Sequence, residues 1–512
     1  MRRAPDPPPH FRGRFLSEPD RTAPYAEASG PIRIRPAAVA QPSGIDDIVA
    51  LVAWAHREGV PLVPRGGATG MPGGNVGPGV IVDMTGWRQI GPVDRDAGTV
   101  RVGPGAVAAT VAEHAHGAGW WLPALPSSAE RCTAGGMLAN NAAGARSFRH
   151  GTMRDRVVEA GVVMADGSCA TLRRGYAGHP SFSRLAERLR RTIGSSMSAW
   201  PRVRKNSSGY ALDRFLAEGH GLDLLPASEG TLAIVTHMVL QLEAPPHERA
   251  LALVGVPEPA AVDEVVRSAK DAGASACEFF APSFVKIAGL RNRPELAPLL
   301  PEGGGLMLIE VEGNRDSVES ALRNLETGAR RSGWLFRSTS DPRDQETWWA
   351  IRHAASPVIA REAERGRVSI QFIEDSVVPP GRLGEYLTRL GLILAEENTE
   401  AAIFGHAGDG NLHVNPLLDV RDEAWPERVR RILHATAMLV ADLGGTLSGE
   451  HGDGRVRAPL LSLVWPEPFP AAFEEVKRFL DPATILNPGV VVPLAGQDPL
   501  EGLLTPVTEM HR

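Results

Sequence analysis

The chain has only three cysteines in 512 residues, Cys132, Cys169 and Cys277, and they stand far apart. That spacing excludes a disulfide framework, a structural zinc finger and an iron–sulfur module. Lysine is scarce: the 54 Lys and Arg residues are nearly all arginine, the better fork for a carboxylate. No apolar run approaches the ~18 residues of a membrane-spanning helix. The Arg- and Pro-rich start, Met1 to Phe11, leads into no apolar stretch of the secretory kind. A strong charge bias is missing too. The formal net charge of −6 gives no basic footprint for nucleic acid or an anionic membrane. Hydrophobic content of 43% and charged content of 22% are ordinary for a globular protein. The expectation is a soluble, reduced, cytoplasmic protein of two or three domains.

What is present concentrates near the end. One segment reads Gly405-His406-Ala407-Gly408-Asp409-Gly410-Asn411-Leu412-His413-Val414-Asn415, and another Ser448-Gly449-Glu450-His451-Gly452. Two histidines and a carboxylate here can grip a divalent metal, and an adjacent histidine stays free for proton transfer. Asp409-Gly410 is the type I′ hairpin dipeptide. A two-residue loop there would set His406 directly opposite His413, with Cβ atoms about 4.5–5.5 Å apart. Asn415 would point to the same face as His413.

The organisation reads as α+β. Residues 1–30 look like a loosely ordered, Pro-rich lead-in. Residues 31–245 alternate short strands (61–64, 80–83, 99–102) with Gly-rich turns and an amphipathic helix over 46–58. Residues 246–492 change texture. Strands at 251–256 and 305–311 alternate with helices at 258–272, 316–332, 382–396 and 425–443, suggesting an antiparallel sheet covered by helices on one face. The segment at about 478–492 is a turn-rich return, and 493–512 a tail.

Two Gly-rich loops sit in the first half. Pro64-Arg65-Gly66-Gly67-Ala68-Thr69-Gly70 follows a strand and can bring backbone N–H groups against a pyrophosphate. It fits neither a P-loop nor a Rossmann turn, because Pro72 interrupts it. The second runs from Leu125-Pro126-Ser127-Ser128 through Thr133-Ala-Gly135-Gly136-Met-Leu-Ala139-Asn140-Asn141-Ala142-Ala143-Gly144. Downstream come His150-Gly151-Thr152 and Ser228-Glu229-Gly230-Thr231-Leu232-Ala233-Ile234-Val235.

In this order the loops resemble the PCMH-type FAD-binding domain of the vanillyl-alcohol oxidase superfamily. The C-terminal histidine motifs, with Leu486-Asn487-Pro488-Gly489, resemble its D-lactate and D-2-hydroxyglutarate dehydrogenase branch. The resemblance implies a PCMH-type domain of two α+β subdomains, followed by a C-terminal antiparallel-sheet substrate domain with helices. It implies FAD contacts at Arg65, Gly66, Gly67, Ala68, Thr69 and Gly70, and at Pro126, Ser127, Ser128, Thr133, Gly136, Asn140, Ala143, Gly144 and Gly151. Glu229, Gly230, Ile234, Val235 and Asn487 complete that set. Gly66 and Gly67 offer neither the His nor the Cys by which relatives tether flavin; noncovalent FAD follows, with Cys132 the remaining alternative. His406, His413 and Glu450 match metal ligands, zinc or another divalent ion. His451 matches the base, Asn415 a substrate amide, Arg352 the carboxylate-binding arginine, and Ser356 a hydroxyl position. One departure stands out: Ile373 takes the place of a lysine found in hydroxyglutarate-specific relatives.

The implied reaction is oxidation of a D-2-hydroxy acid, D-lactate or D-2-hydroxyglutarate, to the 2-oxo acid. Electrons would leave to quinone, cytochrome, electron-transfer flavoprotein or oxygen, and the expectation leaves room for a homodimer. The alternatives are an FAD-dependent oxidase of another alcohol or sugar lactone, and an FAD-carrying subunit of a larger electron-transfer complex.

Overall fold

A computed structural model describes residues 6–176 and 179–504 of the chain. Three sheets carry the described residues. The first has the order Arg14–Leu16, Ala38–Gln41, Val80–Asp83, Leu62–Arg65, parallel except at the Arg14–Leu16 edge. Val80–Asp83 is buried along its whole length, as a strand covered on both faces must be. Helix Ile45–Glu58 covers it with Ile48, Leu51, Val52 and Ala55 and stops at Gly59, whose φ of 63° ends the helix in the left-handed region. The lead-in read as loosely ordered therefore contributes a strand: Arg14–Leu16 pairs with Val39–Gln41, and Phe15 packs edge-on against Trp54. Hydrophobic anchoring of Phe15 outweighs the Pro- and Arg-rich composition around it.

The second sheet is antiparallel, in the order Ile90–Asp94, Thr99–Val102, Ala233–Gln241, Val157–Met164, Cys169–Arg173. The third is antiparallel with eight strands. Its path runs Phe336–Thr339, Glu248–Val256, Gly305–Gly313, Ala276–Phe280, Glu400–Gly405, Asn411–Leu418, Val368–Ser369, and Ser376–Val377 pairs beside Asn411–Leu418.

Helices were expected on one face of this sheet; both faces are covered. Ala250, Ala252 and Val254 belong to one core with Val262, Val265 and Leu325 of helices Pro259–Asp271 and Arg315–Arg331. The alternate residues Leu251 and Leu253 join Phe284, Trp348 and Ile351 of the shorter helices Pro282–Ile287 and Pro342–His353. Period-two alternation thus feeds two cores, which is why these strands read as unbroken apolar runs.

The end of the chain returns to the first sheet: Leu486 bridges Leu62 in parallel, and Lys477 Nζ donates to Leu486 O at 2.5 Å and to Thr231 O at 2.7 Å. Among the described residues, no helix is long and apolar enough to cross a membrane.

Candidate active site

Where the first half meets the third sheet lies a cavity of about 790 Å³. Its walls include Gly66–Gly70, Ser127, Ser128, Asn140, Gly230, Ile234 and Val235 from the first half, and Arg352, His406, Glu450 and His451 from the second. Of the sequence-predicted cofactor residues, Gly151 and Asn487 stay off this wall. Asn487 is fully buried and ties loops together instead, donating to Gly74 O at 2.7 Å and Glu229 O at 2.8 Å. Arg65 lines the cavity, but its guanidinium is occupied by the carbonyls of Tyr25, Glu27 and Asn75. Thr133 Oγ1 is buried without a hydrogen-bond partner in the same wall, an orphan that a bound cofactor can satisfy.

The hairpin departs from expectation. His413 stands across from Phe404, not His406, because Ala407–Asp409 forms a 3-10 turn before Gly410. Tertiary contacts hold this longer turn. Asp409 Oδ2 accepts from Ser147 Oγ at 2.6 Å, and a Cβ on Gly410 would meet Val378 O at 2.2 Å. The histidines still meet: His406 opens the turn and folds back, so the two rings lie 5.1 Å apart, edge to face.

Their nitrogens are oriented. His406 Nδ1 donates to Glu278 Oε1 at 2.7 Å and His413 Nδ1 to Glu374 O at 3.0 Å. Both Nε2 atoms face Glu450 Oε1, at 3.1 and 3.4 Å. A donor set of two imidazoles and a carboxylate, each imidazole held by a partner behind it, suits a divalent metal. Asp375 is close enough to join a metal cluster with His413, Glu450 and His451. Its oxygens are already taken, however. Oδ1 accepts from Asn411 Nδ2 at 2.9 Å, while Oδ2 accepts from Ser448 Oγ and the backbone N–H groups of Gly449, Glu450 and His451 at 2.7–3.0 Å. Asp375 builds the loop that carries Glu450 and His451.

His451 borders the cavity, and its Nδ1 lies 3.2 Å from Glu374 Oε1, leaving Nε2 unclaimed. Burial alone would lower this imidazole's pKa, but the Asp375 and Glu374 carboxylates raise it above the ordinary value. Its carbonyl accepts from Asn140 of the other half. Arg352 donates from Nε to Glu278 Oε2 at 2.7 Å, which fixes the side chain without engaging its outer edge. Burial would raise the Glu278 pKa, yet His406 and Arg352 hold this carboxylate well below the usual range.

Besides Gly151 and Asn487, His413 is absent from the cavity wall and faces it only through Glu450, and three more residues are not brought to it. Asn415 shares the His413 face but is buried opposite Ala402, 3.3 Å from Ser369 Oγ. Ser356 is exposed, and Ile373 is buried away from the wall. Residues missed from sequence are Glu278 and Lys205, whose Nζ lies 2.8 Å from Glu450 Oε2. A lone acid inside the apolar strand Ala-Cys-Glu-Phe-Phe was the available signal for Glu278. Glu310 repeats that pattern one strand over and holds Arg146, another wall residue, at 2.7 and 2.8 Å.

Residues 36–173 match the FAD binding domain, and residues 245–491 match the C-terminal domain of FAD linked oxidases. The D-lactate dehydrogenase of Archaeoglobus fulgidus is 29% identical over 95% of this chain and 96% of its own length. Glycolate oxidase subunit GlcD of Bacillus subtilis is 27% identical over 93% and 92%. The D-2-hydroxyglutarate dehydrogenase of Escherichia coli is 27% identical over 91% of this chain, which spans 49% of that longer protein. The structure is similar to the 4-ethylphenol oxidase of Gulosibacter chungangensis, with a TM-score of 0.68 at 14% identity, over 94% of this chain and 95% of that one; this likeness shows the fold.

Proposed function

The chain belongs to the FAD-linked oxidases as an FAD-dependent oxidoreductase, and from that premise we propose that it oxidises a D-2-hydroxy acid to the 2-oxo acid. One observation carries the reading: the Nε2 atoms of His406 and His413 converge on Glu450 Oε1, with Arg352 and His451 beside them, at the wall of a cavity lined by the flavin loops.

His406, His413 and Glu450 would hold a divalent metal, zinc by the character of the donors. When bound, FAD would supply the hydride acceptor for C2 and a divalent metal would supply Lewis acidity toward the C2 hydroxyl. Arg352 binds the C1 carboxylate through the guanidinium edge that Glu278 leaves free, and this fixes which face of C2 is presented. His451 accepts the hydroxyl proton at Nε2 while Glu374 holds the other ring nitrogen. Asn140, reaching the His451 carbonyl from the flavin wall, keeps base and cofactor site in register.

Noncovalent FAD is supported by Cys132. This thiol lines the cavity, but burial pushes its pKa up to about 11, so it stays protonated at neutral pH and is a poor nucleophile. All three cysteines are unpaired, which supports a reducing, cytoplasmic setting. Quinone, cytochrome, electron-transfer flavoprotein and oxygen are the candidate acceptors. A second reading, an FAD-carrying subunit of a larger complex, is favoured by similarity to a glycolate oxidase subunit.

The test is anaerobic flavin bleaching with D- and L-2-hydroxy acids, before and after EDTA treatment. The expected result is bleaching by D-enantiomers, D-lactate and D-2-hydroxyglutarate first, lost with EDTA and restored by zinc. Bleaching by L-enantiomers alone, or indifference to EDTA, refutes the reading; an inert isolated chain favours the subunit reading.

A further inference from the structure

Four of the 54 basic residues are lysines: Lys205, Lys270, Lys286 and Lys477. Lys205 is 1% exposed, and its ammonium reaches Glu450 from the flavin-loop side of the molecule. The backbone on either side of it is stitched down. Arg204 donates to Phe148 O at 2.7 Å, Asn206 O accepts from Asn141 Nδ2 at 3.0 Å, and Ser207 donates from N to Ser448 O and from Oγ to Gly449 O, both at 2.8 Å. Lys205 is therefore held against the loop that carries Glu450.

The two Glu450 oxygens have separate surroundings. Oε1 faces the two imidazole Nε2 atoms, and Oε2 faces Lys205 Nζ. Neither Nζ nor Oε2 has a hydrogen-bond partner elsewhere among the described residues. A buried ammonium with one anionic neighbour is expensive as mere structure. A guanidinium would fork across both oxygens, whereas a compact ammonium engages one.

We propose that Lys205 is a positioning residue for the metal site: by holding Glu450 Oε2, it restricts the carboxylate to one-oxygen coordination through Oε1. Coordination positions then stay open for the hydroxyl and carboxylate oxygens of a 2-hydroxy acid, as a catalytic site requires. The inference rests on the metal reading of this site.

The experiment uses FAD-loaded protein stripped by chelator and titrated with Co²⁺, whose visible band above the flavin absorption reports coordination number. Glycolate, which carries both chelating oxygens and no side chain, is the probe. In the wild type, glycolate shifts the Co²⁺ band. Lys205→Met keeps FAD and binds Co²⁺ at least as tightly, because a neighbouring positive charge is gone. Its band changes toward a higher coordination number, and glycolate titrates it at about tenfold higher concentration, equivalent to about 1.4 kcal/mol. Lys205→Gln gives the same comparison where the methionine variant does not accumulate as folded protein. An unchanged band with unchanged glycolate affinity overturns the proposal. So does joint loss of Co²⁺ and glycolate binding, the mark of a merely structural residue. A wild type that takes up no Co²⁺ overturns the metal reading itself.

Discussion

Asp375→Asn is the sharpest perturbation of this site, because the change removes no volume. Asp375 is fully buried, and burial would raise its pKa; His451 and Arg457 outweigh this and keep it ionised. Its Oδ2 accepts from one hydroxyl and three consecutive backbone N–H groups, Ser448 to His451. Hydrogen bonds to a charged group contribute about 1.5–3 kcal/mol each, against about 0.5–1.5 for neutral ones. Neutralising the acceptor therefore costs about 1 kcal/mol per bond, or about 4 kcal/mol over four bonds before relaxation. The new amide must also turn its NH₂ toward either the loop donors or Asn411 Nδ2, leaving a donor unsatisfied at a further cost of about 1–3 kcal/mol. A loss of about 5 kcal/mol is comparable with a whole domain's stability, about 5–15 kcal/mol. It falls on the loop bearing Glu450 and His451 rather than on the flavin loops. The assay is parallel measurement of bound flavin, bound zinc and the anaerobic flavin-reduction rate. The expected variant stays yellow, loses zinc, and is reduced at least about a thousandfold more slowly. Wild-type zinc content together with a wild-type reduction rate would refute the reasoning.

His406→Ala or Glu450→Ala removes zinc and most turnover but leaves FAD bound, since the flavin loops lie in the other half; equal loss of flavin and metal on dialysis contradicts this. His451→Ala slows flavin reduction by roughly 10²–10⁴. In stopped-flow measurements the wild-type rate falls on acidification, as His451 takes up a proton, and the variant lacks that limb. Glu229→Gln changes stability with a definite sign. Burial, with Asp453 adding, pushes the folded-state pKa of Glu229 from 4.5 up to about 8, so its contribution to stability is full below the unfolded value and is lost as pH rises through 8. The Tm of the glutamine variant relative to wild type should therefore climb from pH 5 to pH 9, and a flat difference would contradict the assignment. Arg146→Gln should lower kcat/KM for D-2-hydroxyglutarate about tenfold while sparing D-lactate, the value of one charge-assisted contact; equal losses would mean that Arg146 only braces Glu310.

The fold was legible where periodicity and turn chemistry agreed. Helix Ile45–Glu58 lies within one residue of the range read from its apolar spacing, as do Pro259–Asp271, Arg315–Arg331 and Leu383–Glu396. What local sequence does not contain is the second covered face of the eight-stranded sheet. Leu251 and Leu253 find their partners in Phe284 and Trp348, dozens of residues later, and only a non-local pairing tells a strand buried on both faces from one buried on one. The Asp409-Gly410 turn shows the same limit from the other side. The dipeptide favours a two-residue loop, but Ser147 and Arg204 capture the Asp409 carboxylate and draw the turn into a longer form.

The site divides along the same line. Residues that are sequence neighbours could be read together, as in Glu450-His451 or the flavin loops, because the chemistry is written in one stretch. The residues that govern them are distant. Glu278 joins His406 to Arg352 from 128 and 74 positions away. Asp375 shapes its loop from a separation of 73–76 residues. Lys205 arrives from the half that lines the flavin loops. Each is of a charged type that is mostly exposed in folded proteins, yet each is buried at 1% exposure or less. Desolvating a charge is tolerated only with a partner in place, so any buried charge implies a specific contact that the fold must supply. For Lys205 that contact crosses from one half of the chain to the other, and it is joined there by others. Ser207 and Gly209 grip the Ser448–Asp453 loop, and Asn140 bonds the His451 carbonyl. The proposed base and the proposed metal ligands are thus positioned by the flavin-binding half as much as by their own sheet. Damage at the junction should then appear as slow chemistry before it appears as lost flavin.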